Sequence, residues 1–373
     1  MRLLAERTGR HCLLLPSNRL GLYLALRHWC VPGQRLLMSP VSADEILFLV
    51  IAAGLRPVMA PLSPRDGNID TARVDLSTVD AVLTTNMYGL PDRVGAFAGK
   101  ILIEDLAHAL ETSVDGRPLG TFGQAGVYSL SKHCGAGSGG VLVVAGEDDL
   151  HALEQARDLV LEPGSWRAEL LAVTTSAARR AALRLDLVRP ALRLARLLGL
   201  QEERLGYRIE LRGDELARTM KHVPELAPFD PWVRADLHDY RVRKGRIARR
   251  YQEARLAGVA AERERRVSGV RMLAELPTVA EGVRDHLDQP LFRVPLLVRD
   301  RDAAIAALER HGVAVGYLYD PPYDDYAPGF TEPSPYPEVA RWWARHVLPV
   351  DPVHATRALP VVRHLAPAPP PPV

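Results

Sequence analysis

The 373-residue sequence predicts an α/β protein built on a mainly parallel sheet. Between Leu13 and Val144, short apolar runs alternate with stretches of helical periodicity, which is the pattern of strands joined by crossover helices. The hydrophobic content of 47% is enough for one large core and a smaller second one. The apolar runs that predict strands are Leu13–Leu15, Ala81–Leu83, Ile101–Ile103 and Val141–Val144.

An acidic pair ends one of these predicted strands. Lys100–Ile103 reads as a short buried strand that leads into Glu104 and Asp105. A carboxylate at the carboxyl end of a strand points into the crevice where α/β folds bind ligands. We therefore expect Asp105 to hold a cationic ring nitrogen, while a helix N-cap is the alternative for an isolated aspartate. The chain then runs through a hairpin with two glycine punctuations and a further strand, and reaches Ser129 through Ala125-Gly126-Val127-Tyr128.

A lysine follows that strand and begins a glycine-rich loop. Only four of the 47 basic residues are lysine, and Lys132 stands just before Gly135–Gly140. Arginine cannot form an imine, because its guanidinium stays protonated. A lysine at this place therefore indicates amine chemistry. An ordinary solvated lysine is the alternative.

In their order and spacing, the motifs from Glu104 to Gly140 resemble the DegT/DnrJ/StrS-type sugar aminotransferases, which use pyridoxal phosphate (PLP). The resemblance implies the type I PLP-dependent aminotransferase fold, with a mainly parallel large domain and a smaller α+β C-terminal domain. It implies that Lys132 is catalytic and binds the cofactor covalently, and that Asp105 pairs with the pyridinium nitrogen. It also places His108 beside the phenolic oxygen or against the ring, and Ser129 on the phosphate. The interval from serine to lysine is shorter here than in the common family pattern.

The segment Pro16–Arg27 is similar to the family segment whose amides cradle the cofactor phosphate at a helix start. By this resemblance Ser17, Asn18 and Arg19 bind the phosphate. The family has Gly-Thr where this chain has Asn18-Arg19, so Arg19 either grips the phosphate itself or is a solvated helix-start arginine. Other segments that resemble the family are Ala52–Val58, Gly67–Asp70, Asn86–Pro91 and Arg301–Val313. The last of these is similar to the family's small-domain helix.

Several positions depart from the family pattern. Ala43 stands at the place of the aromatic that stacks on the cofactor ring, so that stacking falls to another residue, with His108 as a candidate. Ser138 replaces an acidic residue of the glycine loop, and Leu318 replaces a histidine of the small domain. The family's Asn-Tyr-Arg-Met segment, which reaches the partner subunit's site, has no clear counterpart.

The resemblance divides the chain into a large cofactor-binding domain at 1–235, a small domain at 236–365 and a Pro-rich tail at 366–373. A helix is predicted over about Leu237–Leu256, leading from the large domain into the small one. The tail is expected to be extended and unpacked, since its prolines cannot continue a helix or a central strand.

An Arg- and Leu-rich segment at about 163–231 matches no family motif. Within it Arg189, Arg193 and Arg196 share one face of a short amphipathic helix. This is either a surface helix packed on its own domain or a contact with an anionic membrane or a polymer-assembly partner.

The composition also excludes several classes of protein. The formal net charge of +2 argues against a nucleic-acid partner, because such proteins carry a concentrated basic face. Cys12, Cys30 and Cys134 are spaced neither for a disulfide framework nor for a metal site, so no metal is expected. With no apolar leader and no long apolar run, a soluble cytoplasmic protein is expected.

We therefore expect a homodimeric aminotransferase that moves an amino group from glutamate or glutamine to a keto-sugar, with a nucleotide-linked sugar as the expected acceptor. In the dimer, Arg19 or an arginine from the partner's segment 163–231 would grip the cofactor phosphate. The alternatives are sugar dehydration, amination of a non-sugar cyclic ketone, and a non-catalytic protein that keeps the fold for regulation or assembly. Histidine replaces the lysine in the family's dehydratases, so Lys132 argues against that branch.

Overall fold

The computed structural model describes residues 2–184, 208–234, 240–315 and 318–372. Its first nine strands are β1 His11–Leu15, β2 Arg35–Met38, β3 Arg56–Met59, β4 Ala81–Thr84, β5 Ile101–Leu106, β6 Ser113–Val114, β7 Arg117–Pro118, β8 Ala125–Ser129 and β9 Gly140–Val144. Seven of them form one sheet in the order β1-β9-β8-β5-β4-β2-β3, while β6 and β7 make a separate hairpin. Neighbours from β8 to β3 pair in parallel, and β9 is antiparallel to both β8 and β1. The predicted α/β fold with a mainly parallel sheet is confirmed, as are its four predicted strands.

Alternate side chains of the central strands enter two different cores, which explains why these strands read as continuous apolar runs. On β2, Leu36 and Met38 pack in one core, whereas Leu37 packs in the other. On β9, Leu142 and Val144 share the first core, and Val141 and Val143 the second. Helices Asn18–Trp29 and Asp44–Ala52 supply much of the first core.

The helices of the described residues occupy both sides of the sheet and most of the C-terminal lobe. Their bounds are Arg2–Thr8, Asn18–Trp29, Asp44–Ala52, Glu147–Val160, Trp166–Arg184, Gly213–Thr219, Asp230–Val233, Arg246–Ala257, Ala260–Ala274, Arg301–Arg310, Tyr323–Tyr326, Pro337–His346 and Ala355–Val362. The helix expected from the resemblance of Arg301–Val313 is thus present.

The C-terminal lobe is built on the antiparallel pair β10 Val294–Leu297 and β11 Val347–Val350. Its apolar core includes Trp343 and Leu348, and it also takes in Met87 and Tyr88 from the loop after β4. Packing between this loop and the C-terminal lobe therefore brings residues far apart in sequence to the edge of the large sheet. The domain boundary near residue 236 stays a prediction.

The prediction of one helix over Leu237–Leu256 is wrong in its first part, because the helix begins at Arg246. Tertiary contacts hold the described residues before it in another conformation: Tyr240 and Arg241 form a turn, and Val242 forms a β-bridge with Glu162. The Tyr240 hydroxyl donates to Asp230 Oδ1 over 2.6 Å. These partners compete successfully with the helical hydrogen bonds that the apolar periodicity favours. Leu237 itself lies outside the described residues.

The described C-terminal tail is extended as predicted, but the expectation that it is unpacked is wrong for Ala366–Pro369. Pro367 bridges antiparallel to Val298, and Ala368 donates its N–H to the carbonyl of Leu297 over 3.0 Å. The indole N–H of Trp342 donates to the carbonyl of Pro369 over 3.0 Å. Carbonyls of the tail remain good acceptors and Ala368 keeps its N–H, so this Pro-rich segment can pair along the edge of β10.

The predicted arginine face at Arg189, Arg193 and Arg196 lies outside the described residues. Among those that are described, no helix combines the length and the apolar character needed to cross a bilayer.

Candidate active site

The carboxyl ends of β5 and β8 place the two predicted key residues side by side. The strands are parallel neighbours in which Asp105 is paired with Val127. Asp105 lies near the end of β5, and Lys132 follows the end of β8 by three residues. Parallel strands end at the same edge of a sheet, so the aspartate and the lysine meet there.

The Asp105 carboxylate is held by two hydrogen bonds to one of its oxygens. Oδ1 accepts from the Ala107 N–H over 3.0 Å and from Asn18 Nδ2 over 3.1 Å. Burial raises the pKa of Asp105, although Lys132 and these two donors act in the opposite direction. A cation beside Oδ2 would stabilise the ionised carboxylate of Asp105, and a protonated ring nitrogen is the cation expected there.

Lys132 contacts His108, and the contact reveals the protonation state of both. Lys132 Nζ lies 2.9 Å from His108 Nε2. The other ring nitrogen, Nδ1, accepts the backbone N–H of Tyr88 over 3.2 Å. A neutral imidazole carries one proton, so that proton sits on Nε2. His108 Nε2 then donates to Lys132 Nζ, which must be an uncharged amine to accept.

Electrostatics favour the same state. Burial lowers the pKa of Lys132, against the opposing attraction of Asp105 and Glu45. Burial also lowers the pKa of His108 well below its usual range. The lowered pKa of Lys132 and the hydrogen-bond geometry both favour the neutral amine, which is the nucleophilic form of lysine.

The His108 ring lies in an aromatic environment at the contact between the large sheet and the C-terminal lobe. It is nearly parallel to the ring of Phe292, with centroids 4.8 Å apart, and to that of Tyr88 at 6.2 Å. Tyr88 has a φ of 62°, a left-handed conformation that costs about 1–3 kcal/mol in a non-glycine residue. That backbone conformation directs its N–H to the imidazole.

Glu104, the first member of the acidic pair, has a structural role. Its carboxylate accepts the N–H groups of Gly120, Phe122 and Gly123, each over 2.8 Å. Successive residues of a strand point to opposite faces. Glu104 therefore fixes the loop that precedes β8, while Asp105 faces the site.

The predicted phosphate-binding residues lie at the start of helix Asn18–Trp29. Ser17 caps this helix, because its Oγ accepts the Leu20 N–H over 3.1 Å, and it also donates to the carbonyl of Tyr240 over 2.7 Å. Asn18 Nδ2 donates to the carbonyl of Val127 over 2.8 Å as well as to Asp105. The helix start is therefore fastened to the end of β8.

Arg19 makes protein contacts at this helix start. Its Nη1 donates to the carbonyl of Val233 over 2.6 Å and lies 4.0 Å from Glu45 Oε1. Its guanidinium stands 5.6 Å from the centre of the Tyr240 ring. Arg19 is thus not simply a solvated arginine, and whether it also reaches a phosphate stays a prediction.

Two hydroxyls precede the lysine. Ser129 Oγ lies 2.9 Å from Ser131 Oγ. The glycine loop then returns to the helix start, where a Cβ on Gly140 would stand 2.4 Å from the carbonyl carbon of Ser17. Only glycine allows this approach of the two backbones.

Three of the departures from the family pattern, Ala43, Ser138 and Leu318, have different structural settings. Ala43 precedes helix Asp44–Ala52, and its carbonyl accepts the hydroxyl of Tyr323. The carbonyl of Ser138 accepts from Gln252 Nε2 over 3.1 Å. Leu318 is buried.

Sequence analysis missed two residues beside this site. Asn18 was predicted at the phosphate, and that role stays a prediction; its side chain also hydrogen bonds to Asp105. Phe292 and Arg293 received no role, yet the Arg293 guanidinium stands 4.1 Å from the Phe292 ring that stacks on His108. Their only signal in the sequence is their position just before β10, which does not predict contact with the loop after β4.

Comparison with known proteins identifies a family. A sequence model of the DegT/DnrJ/EryC1/StrS aminotransferase family matches residues 3–245, a range that includes the Arg- and Leu-rich segment. The spore coat polysaccharide biosynthesis protein SpsC of Bacillus subtilis (strain 168) is 27% identical over 183 residues, 43% of this chain and 47% of that protein. The dTDP-4-dehydro-2,3,6-trideoxy-D-glucose 4-aminotransferase of Saccharopolyspora spinosa is 32% identical over 131 residues, 32% of this chain and 34% of that enzyme. The chain thus spans less than half the length of these curated relatives.

Solved structures share the fold over nearly the whole chain. Sugar aminotransferase CalS13 from Micromonospora echinospora superposes with a TM-score of 0.64 at 20% identity, covering 97% of this chain and 89% of that one. The E coli GDP-4-keto-6-deoxy-D-mannose-3-dehydratase with bound hydrated PLP gives a TM-score of 0.64 at 14% identity, covering 96% and 89%. At these sequence identities the structural similarity shows a shared fold alone.

Proposed function

We propose that this chain, which belongs to the DegT/DnrJ/EryC1/StrS aminotransferase family, is a PLP-dependent aminotransferase that moves an amino group from glutamate or glutamine to a nucleotide-linked keto-sugar. The observation that carries the proposal is the hydrogen bond from His108 Nε2 to Lys132 Nζ beside the buried Asp105. In this arrangement the neutral amine of Lys132 can form a bond with a carbonyl group, and the carboxylate of Asp105 can hold a cation.

The residues present fit pyridoxal phosphate. The site combines a lysine amine for the aldehyde, an acid whose Oδ2 can take the ring nitrogen, and the hydroxyl pair of Ser129 and Ser131 next to a helix start. When bound, the cofactor supplies an electron sink for the substrate carbon. Asp105 would hold the ring nitrogen in its protonated form, and Lys132 Nζ would move a proton from and to the substrate carbon. His108 orients Lys132 by its hydrogen bond.

The amino-sugar assignment is supported by the named activities of relatives, and the presence of Lys132 favours amination over dehydration. Members of the family close each other's sites, so we also propose a two-fold homodimer. In it, Arg19 or an arginine from the partner's segment 163–231 would contact the phosphate.

The test is a pair of half-reactions followed by absorbance. The purified protein is loaded with PLP, and its visible band is recorded before and after addition of L-glutamate or L-glutamine. The proposal expects loss of the band, and its return when a nucleotide-linked keto-sugar is added, with the amino-sugar identified by mass. Loss of water from the sugar without gain of nitrogen would indicate the dehydratase alternative. A band that no amino donor changes would indicate a non-catalytic protein.

A further inference from the structure

A buried polar network holds the loop that orients His108. This loop, residues 85–92, follows β4 and contains Tyr88, whose N–H donates to His108 Nδ1 over 3.2 Å. Two of its residues have left-handed backbones, Asn86 with a φ of 46° and Tyr88 with a φ of 62°. Such conformations are unfavourable in most residues other than glycine and persist where the surrounding contacts impose them. The loop therefore depends on those contacts for its shape.

Asp92 joins the two ends of this loop. Its Oδ2 accepts the N–H of Thr85 and the N–H of Asn86, each over 3.0 Å. Its Oδ1 accepts the N–H of Ile69 over 3.0 Å, and its own N–H donates to Asn86 Oδ1 over 3.0 Å. The carboxylate thus fixes the first two residues of the loop against the last one.

Two asparagines extend the network. Asn86 Nδ2 donates to the backbone carbonyl of Asp105 over 3.2 Å, which attaches the loop to the end of β5. Asn68 Oδ1 accepts the N–H of Met87 over 2.9 Å, and its Nδ2 donates to the carbonyl of Leu90 over 3.0 Å. The backbone in the middle of the loop is therefore held as well.

The three side chains of the network lie away from solvent. Asp92, Asn86 and Asn68 are 2%, 0% and 3% exposed. Water is poorly placed to replace a lost partner there, so removal of one member leaves buried N–H groups unsatisfied. A change in the network should therefore move the loop backbone.

The loop determines which nitrogen of His108 carries the proton. Nδ1 accepts the N–H of Tyr88, so the single proton of the neutral imidazole sits on Nε2. Nε2 lies 2.9 Å from Lys132 Nζ and donates to it, which requires an uncharged amine. With the Tyr88 N–H turned away, the proton could move to Nδ1, and Nε2 would then accept from a charged Lys132. The direction of one backbone N–H thus selects between two charge states of the lysine.

We propose that Asp92 is a positioning residue: by holding residues 85–92 it sets the tautomer of His108 and thereby keeps Lys132 uncharged. Asp92 acts through the backbone of Tyr88 rather than at the reacting atoms. The inference rests on the proposed function for the use that is made of the amine, whereas the tautomer itself is independent of that function.

The first experiment reads the tautomer by NMR in the full chain, labelled with isotopic histidine and without PLP. Couplings between ring nitrogens and carbon-bound protons distinguish the two tautomers, and the signals of His108 are those missing from His108→Gln. In Asp92→Asn, an NH₂ group replaces one of the two oxygens that accept backbone N–H groups. Asn86→Gly permits the left-handed backbone but removes the side-chain links to Asp92 and Asp105.

The matched control is Asp75→Asn. Asp75 is an exposed aspartate whose Oδ1 also accepts a backbone N–H, that of Ser77 over 2.9 Å. The unaltered protein and this control are expected to show His108 protonated on Nε2. Asp92→Asn and Asn86→Gly are expected to show the proton on Nδ1, or a mixture of the two forms.

The second experiment measures the charge of Lys132 through the rate at which PLP attaches to it, followed by absorbance. Rates are compared at pH 7 and above, where Asp92 is mainly ionised although burial raises its pKa to about 6. A charged Lys132 that donates to Nε2 gains a charge-assisted hydrogen bond, so its pKa should rise in both variants. Attachment at pH 7 should be slower by up to about 10- to 100-fold, the factor for one or two pKa units, and should approach the unaltered rate at high pH. The charged groups that act on Lys132 are the same in every variant: Asp105, Glu45, Arg293 and Arg19.

Three results would overturn the inference: an unaltered protein with His108 protonated on Nδ1, folded network variants that keep the proton on Nε2, or attachment rates in these variants equal to that of the unaltered protein at pH 7. Thermal unfolding shows which variants are folded, and Asn86→Gly carries the test if Asp92→Asn is not. Failure of the proposed function is recognised separately, because the tautomer and the attachment rate would then be as expected while no amino group reaches a keto-sugar.

Discussion

Replacing Asp105 by asparagine removes a charge from the site and preserves its hydrogen bonds. The amide oxygen of Asp105→Asn can accept from the Ala107 N–H and from Asn18 Nδ2, as Oδ1 does now over 3.0 and 3.1 Å. The variant should therefore fold. It lacks the negative charge that would keep the ring nitrogen protonated.

The size of the effect follows from the burial of the carboxylate. Asp105 is 4% exposed, so its interaction with a ring cation is hardly weakened by solvent. Loss of one preorganised electrostatic partner costs about 3–4 kcal/mol of barrier. This corresponds to a rate lower by about 10²- to 10³-fold.

The assay is the single-turnover half-reaction with L-glutamate, followed by stopped-flow absorbance at saturating PLP. Glu104→Gln is the matched control, because Glu104 is the adjacent carboxylate and binds the N–H groups of Gly120, Phe122 and Gly123. It should lower the free energy of unfolding by about 1–3 kcal/mol, with a much smaller effect on the half-reaction rate. A half-reaction in Asp105→Asn that is as fast as in the unaltered protein would refute the role assigned to Asp105.

Two further predictions concern the stability of the site. Gly140→Ala should lower the free energy of unfolding by about 1–3 kcal/mol and weaken cofactor retention, because its Cβ would meet the Ser17 backbone at 2.4 Å. Urea unfolding measures the stability and dialysis measures the retention, with Gly95→Ala, whose Cβ would enter open space, as the control. Equal behaviour of the two variants would contradict the close approach of the two backbones. Burial lowers the pKa of His133 in the folded protein to about 3. Between pH 6.5 and pH 3 the unfolded chain therefore binds more protons than the folded protein at this residue. The stability that the neutral His133 contributes is present in full above pH 6.5 and is lost as the pH falls toward 3. Unfolding free energies at pH 7 and pH 5 should differ by about 2 kcal/mol more in the unaltered protein than in His133→Gln; an equal difference would show that His133 is not buried in its neutral form.

The residues of the site that could be predicted from the sequence, Asp105 and Lys132, belong to local motifs at the ends of adjacent parallel strands. Asp105 ends an apolar run, and Lys132 follows the next strand of the large sheet along the chain. Parallel pairing of β5 with β8 is then enough to bring them to one edge. His108 follows Asp105 by three residues, so its proximity was also predictable.

The rest depends on contacts between distant segments, which periodicity and motifs do not specify. Phe292 and Arg293 reach His108 only because the C-terminal lobe packs on the loop that contains Tyr88. Similarly, the carbonyl of Tyr240 accepts from Ser17 in a turn that the sequence pattern assigned to a helix. In both cases tertiary hydrogen bonds and packing override the local preference.

The central claim is that Lys132 binds PLP through Nζ. Borohydride reduction of the PLP-loaded protein followed by digestion and peptide mapping tests it, with Lys132→Arg as the control that should abolish labelling. The structure makes Lys132 the expected site because its amine is neutral beside His108, whereas Lys100 Nζ donates to the carbonyl of Val79 over 2.8 Å. A pyridoxyl group on the Lys132 peptide is the predicted result. A pyridoxyl group on Lys100, Lys221 or Lys244, or on no peptide, would contradict the account.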